Sequence, residues 1–133
     1  MANIDWNTTS RFSAAGDSPG LSLWRQFHSW QRKINAALGP LQLTQMQFSL
    51  IAVIGYLTKD GNEITQQDVA RFAEIDRMLV SQVVRRLADE GLVKRCPHAN
   101  DKRAWSLSLT RRGANKLAKA VPIVEAADEE FFR

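Results

Sequence analysis

The chain has 133 residues and a mass of 15.0 kDa, with 44% hydrophobic and 24% charged residues, a formal net charge of +4 and a pI near 9.6. That length supports one domain with a single modest core and excludes two. No apolar run approaches the roughly 20 residues that cross a bilayer, the opening Met-Ala-Asn-Ile-Asp-Trp lacks a secretory leader's basic-then-apolar pattern, and a lone cysteine closes no internal disulfide; the expectation is a reducing cytoplasm and no membrane.

Residues 1–17 are polar and unpatterned and read as a loose arm, with 18–133 as the single folded unit. Ser18-Pro19 looks like an N-cap followed by proline in a first helical turn. Beyond it Leu23, Phe27, Trp30, Ile34 and Ala37 recur at alternating intervals of four and three, a seam suited to another helix, and Gly39-Pro40 ends the run. Thr44-Gln-Met-Gln47 fits a capping box and opens a second helix through Phe48, Leu50, Ile51, Ile54 and Leu57, apolar nearly all round and therefore central. Lys59-Asp-Gly61 closes it, and Glu63-Ile-Thr65 is long enough only for a strand fragment. Thr65-Gln-Gln-Asp68 starts a short helix with Val69, Ala70 and Ala73 inward.

Asp76 then caps a helix from Arg77 to Glu90 in which Val80, Val83, Val84 and Leu87 follow the i, i+3, i+4, i+7 rule and face the core. The opposite face carries Arg77, Met78, Ser81, Gln82, Arg85 and Asp89, with Arg86 at its margin. Gly91 is placed as a left-handed C-cap. Two short strands follow within 92–110, Leu107 and Leu109 alternating with serines as in a half-buried strand, and the loop between them ends in Asn100-Asp-Lys-Arg103. Thr110 caps a last helix with Ala114, Leu117, Val121 and Val124 on one stripe and a bend expected at Pro122.

Charge is not spread evenly along this order. Between Thr65 and Gly113 lie ten bases and six acids, while the remainder holds eight of each. The entire positive excess thus occupies one segment, as in a surface that meets a polyanion. Two helices joined by the short turn Glu74-Ile-Asp76, the second with a polar and basic face, make a helix-turn-helix, and a basic hairpin directly after it makes the winged form. A helix fits the roughly 12 Å major groove and a thin ribbon can follow the backbone or enter the groove beside it. Ser81, Gln82 and Arg85 can exchange hydrogen bonds with base edges, and Met78 can lie against a thymine methyl. A merely solvated face would carry glutamate and lysine pairs instead.

The runs Leu87-Ala-Asp-Glu-Gly-Leu-Val-Lys-Arg95, Asn100-Asp-Lys-Arg103 and Leu107-Ser-Leu-Thr-Arg-Arg-Gly113, with Leu43-Thr-x-x-Gln47-Phe48 upstream, resemble the MarR family of bacterial transcription regulators over roughly residues 20 to 130. The resemblance implies a mainly α, α+β winged helix-turn-helix with a DNA-binding lobe over 44–110 and dimerisation helices over 18–39 and 111–133. It implies a homodimer on a pseudo-palindromic operator of double-stranded DNA, most often a repressor, released by a small aromatic or oxidising effector. The DNA-facing set is then Thr65, Gln66, Gln67, Arg77, Met78, Ser81, Gln82, Arg85, Arg86, Lys102 and Arg103. Arg103 is assigned to the minor groove, whose narrowness focuses negative potential, with Asp101 holding the wing. Leu23, Phe27, Trp30, Ile34 and Phe131 are assigned to the dimer interface, and Trp24 and His28 to an effector pocket, against the plainer reading that an aromatic stripe at helical spacing is interface or core. Family members carry a further C-terminal helix that interlocks the subunits, whereas the sequence here ends at Phe131-Phe-Arg133; the chain either continues further or pairs through its first and last long helices.

Cys96, on a wing strand, does not match the N-terminal cysteines with which some relatives sense oxidants. His98 reads as a polar loop residue. His28, His98 and Cys96 have no zinc spacing, and no nucleophile motif or phosphate-cradling glycine loop occurs, so neither metal, cofactor nor enzymatic activity is expected. The competing reading is a winged helix that binds an acidic protein partner without sequence-specific DNA binding.

Overall fold

The structure, a computed structural model, describes residues 1–100 and 104–133. The helices are α1 (Trp6–Thr9), α2 (Pro19–Leu38), α3 (Gln45–Leu57), α4 (Gln66–Ala73), α5 (Arg77–Asp89) and α6 (Arg111–Phe131), with strands β1 (Val93–Pro97) and β2 (Trp105–Leu109) between α5 and α6. The N-terminal arm is less featureless than its sequence: Asp5 accepts from the Asn7 N–H at 3.0 Å to cap the single turn of α1, and a 3-10 turn spans Ala15–Asp17. No residue of that arm is buried. Both turns are local and add nothing to the core.

Each long helix begins where its sequence says it should. Ser18 accepts from Leu21 N, Thr44 and Thr65 form reciprocal capping boxes with Gln47 and Asp68, Asp76 accepts from Met78 N, and Thr110 accepts from Gly113 N. These bonds satisfy N–H groups that the first helical turn leaves without a carbonyl partner. Gly91 closes α5 with φ at +76°, as the left-handed cap requires.

Helix α3 is the hub, touching α2, α4, α5, α6 and β2, with Leu50, Ile51 and Ile54 fully buried. Val69 and Ala70 from α4, Val80, Val84 and Leu87 from α5, and Leu107 from β2 close around it. The strands pair antiparallel from Val93 opposite Leu109 to Pro97 opposite Trp105, and Leu107 N–H donates to the Ile64 carbonyl at 2.8 Å, so the strand fragment before α4 adds one bridge to the hairpin. Polar atoms are not excluded from the interior: Gln45, 6% exposed, donates to Ser49 Oγ at 2.7 Å and accepts from Gln31 Nε2 at 3.0 Å, while its backbone N–H donates to Asn35 Oδ1 at 2.6 Å. This network ties α2 to the start of α3.

Two sequence assignments are corrected here. Ile34, assigned to the dimer seam, is fully buried inside its own chain together with Leu38; α2 packs its C-terminal half against α3 and α6 and only its N-terminal half remains open. The buried stripe of α6 is Gly113, Ala120, Val124 and Ala127, with Ala114 exposed. Of the expected stripe Val124 is buried and Leu117 packs partly buried on the core, and Gly113 joins them because it lies against the backbone of Leu92, where a Cβ would overlap the Leu92 carbonyl oxygen. That close approach gives the glycine of the Leu-x-Leu-Thr-x-x-Gly run its physical purpose.

Candidate nucleic-acid interface

Helices α4 and α5 are joined through Glu74, which adopts a left-handed conformation with φ at +57°. Ile75 N–H donates to the Ala70 carbonyl at 3.1 Å, drawing the chain back across the end of α4 before Asp76 restarts it. Burying Val80, Val84 and Leu87 obliges the other side of α5 to face outward: Met78, Gln82, Arg85 and Arg86 are exposed and Ser81 is half-buried, while Arg77, in line with the buried stripe, is exposed because it begins the helix. Arg77, Ser81 and Arg85 recur every four residues and share a face. Arg86 stands apart, pairing with Glu90 at 3.2 Å, an exposed i, i+4 ion pair of little energetic weight.

At the start of α4, Gln67 is exposed, Gln66 is half-buried, and the Thr65 hydroxyl accepts from the Asp68 N–H at 3.2 Å while the Asp68 carboxylate accepts from the Thr65 N–H at 2.9 Å. The wing strands present exposed Lys94, Arg95 and Trp105. Asp101, Lys102 and Arg103 lie outside the described residues. Cys96 is half-buried in β1 and His98 follows that strand, with Nε2 3.5 Å from Glu63 Oε2. Glu63 was not singled out in the sequence. It accepts from Ala99, 36 positions away, and no local pattern announces such a contact.

The remaining assigned residues sit away from this face. Leu23 is 68% exposed, Trp24 62% and Phe27 42%. Trp30 is half-buried and donates its indole N–H to Asp128 on α6 at 2.7 Å, beside a Lys33–Glu130 ion pair at 3.1 Å. Trp24 and His28 meet edge to face with ring centres 5.0 Å apart, on an open groove of about 740 Å³ lined also by Leu21, Arg25 and Arg32. Phe131 is half-buried against Phe132, which is 64% exposed. Among the described residues, no single helix is long and apolar enough to cross a membrane.

A helix-turn-helix with an outward basic face and a paired wing defines a winged-helix DNA-binding regulator. The sequence profile of the MarR family matches residues 41–104. The HTH-type transcriptional regulator YdcH of Bacillus subtilis is 41% identical over 129 residues, spanning 97% of this chain and 86% of that protein. An HTH-type transcriptional repressor of Mycobacterium tuberculosis is 30% identical over 86% of this chain and 80% of its own length. Among solved structures, a cysteine mutant of MarR from Escherichia coli complexed with operator DNA superposes with a TM-score of 0.75 at 26% identity, covering 84% of this chain and 78% of that one. The chain belongs to the MarR family, and its family and relatives are transcription regulators, not enzymes.

Proposed function

We propose that the protein is a homodimeric repressor that grips a pseudo-palindromic operator, each subunit laying the first turns of α5 in a major groove and its wing along the adjacent backbone. The observation that carries this is the composition of the outward face of α5, where Met78, Gln82 and Arg85 are exposed on the side opposite Val80, Val84 and Leu87, with Arg77 exposed in the first turn. Gln82 and Arg85 are assigned base edges, Arg77 and Lys102 phosphates, and Arg103 the minor groove. Thr65, Gln66 and Gln67 are assigned to the backbone beside the same groove. The repressor sense is supported by the mycobacterial relative and by the simple effect of occupying a promoter.

Dimerisation is assigned to the exposed part of α2 and to the end of α6, and release of DNA to a small aromatic effector held in the groove of Trp24 and His28. Footprinting on the protein's own upstream DNA tests the assignment: two protected half-sites about one helical turn apart are expected, with binding that weakens steeply as salt rises and transcription that falls when the site is filled. Equal affinity for operator and scrambled DNA would favour an acidic protein partner for the basic face.

A further inference from the structure

We propose that Glu63 is a positioning residue for the wing, clasping the end of β1 to the segment that leads into α4. Its Oε2 accepts the Ala99 N–H at 3.2 Å and lies 3.5 Å from Nε2 of His98. The His98 ring is held for this contact: Asn100 N–H donates to its Nδ1 at 3.1 Å, which places the ring proton on Nε2, facing the carboxylate. The next residue, Ile64, accepts the Leu107 N–H of β2 at 2.8 Å. Glu63 and Ile64 therefore hold both arms of the hairpin, and Thr65 directly after them is the N-cap of α4.

The place where Glu63 acts is where the hairpin's own bonding thins out. The ladder ends at Pro97 opposite Trp105, Pro97 has no N–H to give, and beyond it His98 N–H donates to the Ala104 carbonyl at 3.0 Å. A two-stranded ribbon of this kind twists readily and is marginal by itself. A charge-assisted bond from the body to Ala99 fixes the direction in which the described part of the ribbon leaves the domain. The consequence for binding rests on the DNA-binding reading above, with the wing as one of its two contacts.

The clasp and its consequence are tested separately. Amide hydrogen exchange at Ala99 reads the clasp without DNA: Glu63→Ala should speed exchange there while leaving the α3 core protected, and unchanged exchange would overturn the proposal. Operator affinity reads the consequence. Removing a carboxylate near DNA tightens binding by itself, so Glu63→Gln, which loses the charge but keeps an oxygen to accept from Ala99, is the control. Glu63→Ala should bind the operator roughly three- to tenfold more weakly than Glu63→Gln, the loss expected when a contact loop must be ordered on binding; equal affinities for the two variants would overturn it. His98→Ala should add little to Glu63→Ala if the pair acts as a unit, and fully additive losses would count against the shared clasp. A wild type with no operator preference would defeat the DNA-binding reading and leave the exchange result to judge the clasp alone.

Discussion

In α5 the exposed side chains include Arg77, Met78, Gln82, Arg85 and Arg86; in the first half of α2 they include Leu23, Trp24 and Phe27. Both helices are amphipathic, and the buried sides are alike: Val80, Val84 and Leu87 in one, Ile34 and Leu38 in the other. Periodicity identifies which side of a helix enters the core, and it is silent about what the other side is for. The chemistry of the outer side supplies that. Guanidinium and amide groups on α5 have hydrogen bonds to give to a charged, groove-shaped partner, whereas aromatic rings on α2 have mainly area to bury. Phe27 already stacks within its own helix, 5.9 Å from Trp30 and 5.4 Å from His28 between ring centres, and still keeps an open edge.

The largest expected effect comes from breaking the outer side of α2. Phe27→Glu places a charge among these rings and should yield monomers in sedimentation at micromolar concentration. Operator affinity should fall on the order of a thousandfold, because two half-sites no longer bind as one linked event, while circular dichroism shows the lobe still folded. A monomeric wild type that binds its operator tightly would contradict the assignment. On α5 the inner side is next: Leu87→Ala empties a fully buried position and should cost about 2–5 kcal/mol of stability, read by thermal or denaturant melts. That is a large share of what a domain of this size possesses.

What could be read before the structure, and what could not, divides along the same line between local and distant contacts. The starts at Ser18, Thr44, Thr65, Asp76 and Thr110 were all visible because a cap reaches only two or three residues along the chain. The polar face of α5 was visible because its spacing is set by the helix itself. Ile34 was misplaced because a 4-3-4-3 pattern marks an apolar stripe without telling which part of it is covered by the same chain. Gln45 and Glu63 were missed for another reason: glutamine and glutamate are ordinary surface residues until tertiary packing brings Ser49, Gln31 or Ala99 to them. Gly113 stood in a recognised motif, yet its reason became plain only when Leu92 was seen against it.

A smaller and more selective effect sharpens the contrast between the two sides of α5. Arg85→Ala should leave stability within about 0.5 kcal/mol of wild type, as exposed substitutions do. It should cost roughly 1–3 kcal/mol in operator binding and relax the preference at one base pair. Measuring the variant on operator and on scrambled DNA separates the two kinds of contact, since a lost phosphate contact weakens both alike. Melts in which Arg85→Ala and Leu87→Ala lose equal stability would mean that α5 is rotated about its axis.

The smallest expected effect concerns how the two helices are started. Asp76 Oδ1 accepts from the Met78 N–H at 2.6 Å and Ser18 Oγ from the Leu21 N–H at 3.3 Å; replacing either cap by alanine costs about 0.5–2 kcal/mol in general. The two losses should nonetheless differ. In α5 the first fully buried residue, Val80, lies four positions after the cap, so fraying there disturbs the core. In α2 the first is Ile34, sixteen positions on, so its end can fray while the core stays closed. Melts made in the Phe27→Glu background, where the proposed second subunit no longer covers α2, should therefore show a larger loss for Asp76→Ala than for Ser18→Ala. Asp76→Asn keeps an equivalent cap and drops only the charge, so in the otherwise unaltered protein it should melt close to wild type and bind operator and scrambled DNA slightly more tightly and to the same degree. Equal melting losses for the two alanine variants would show that the open half of α2 is as firmly held as α5, and that the contrast between them is one of surface chemistry alone.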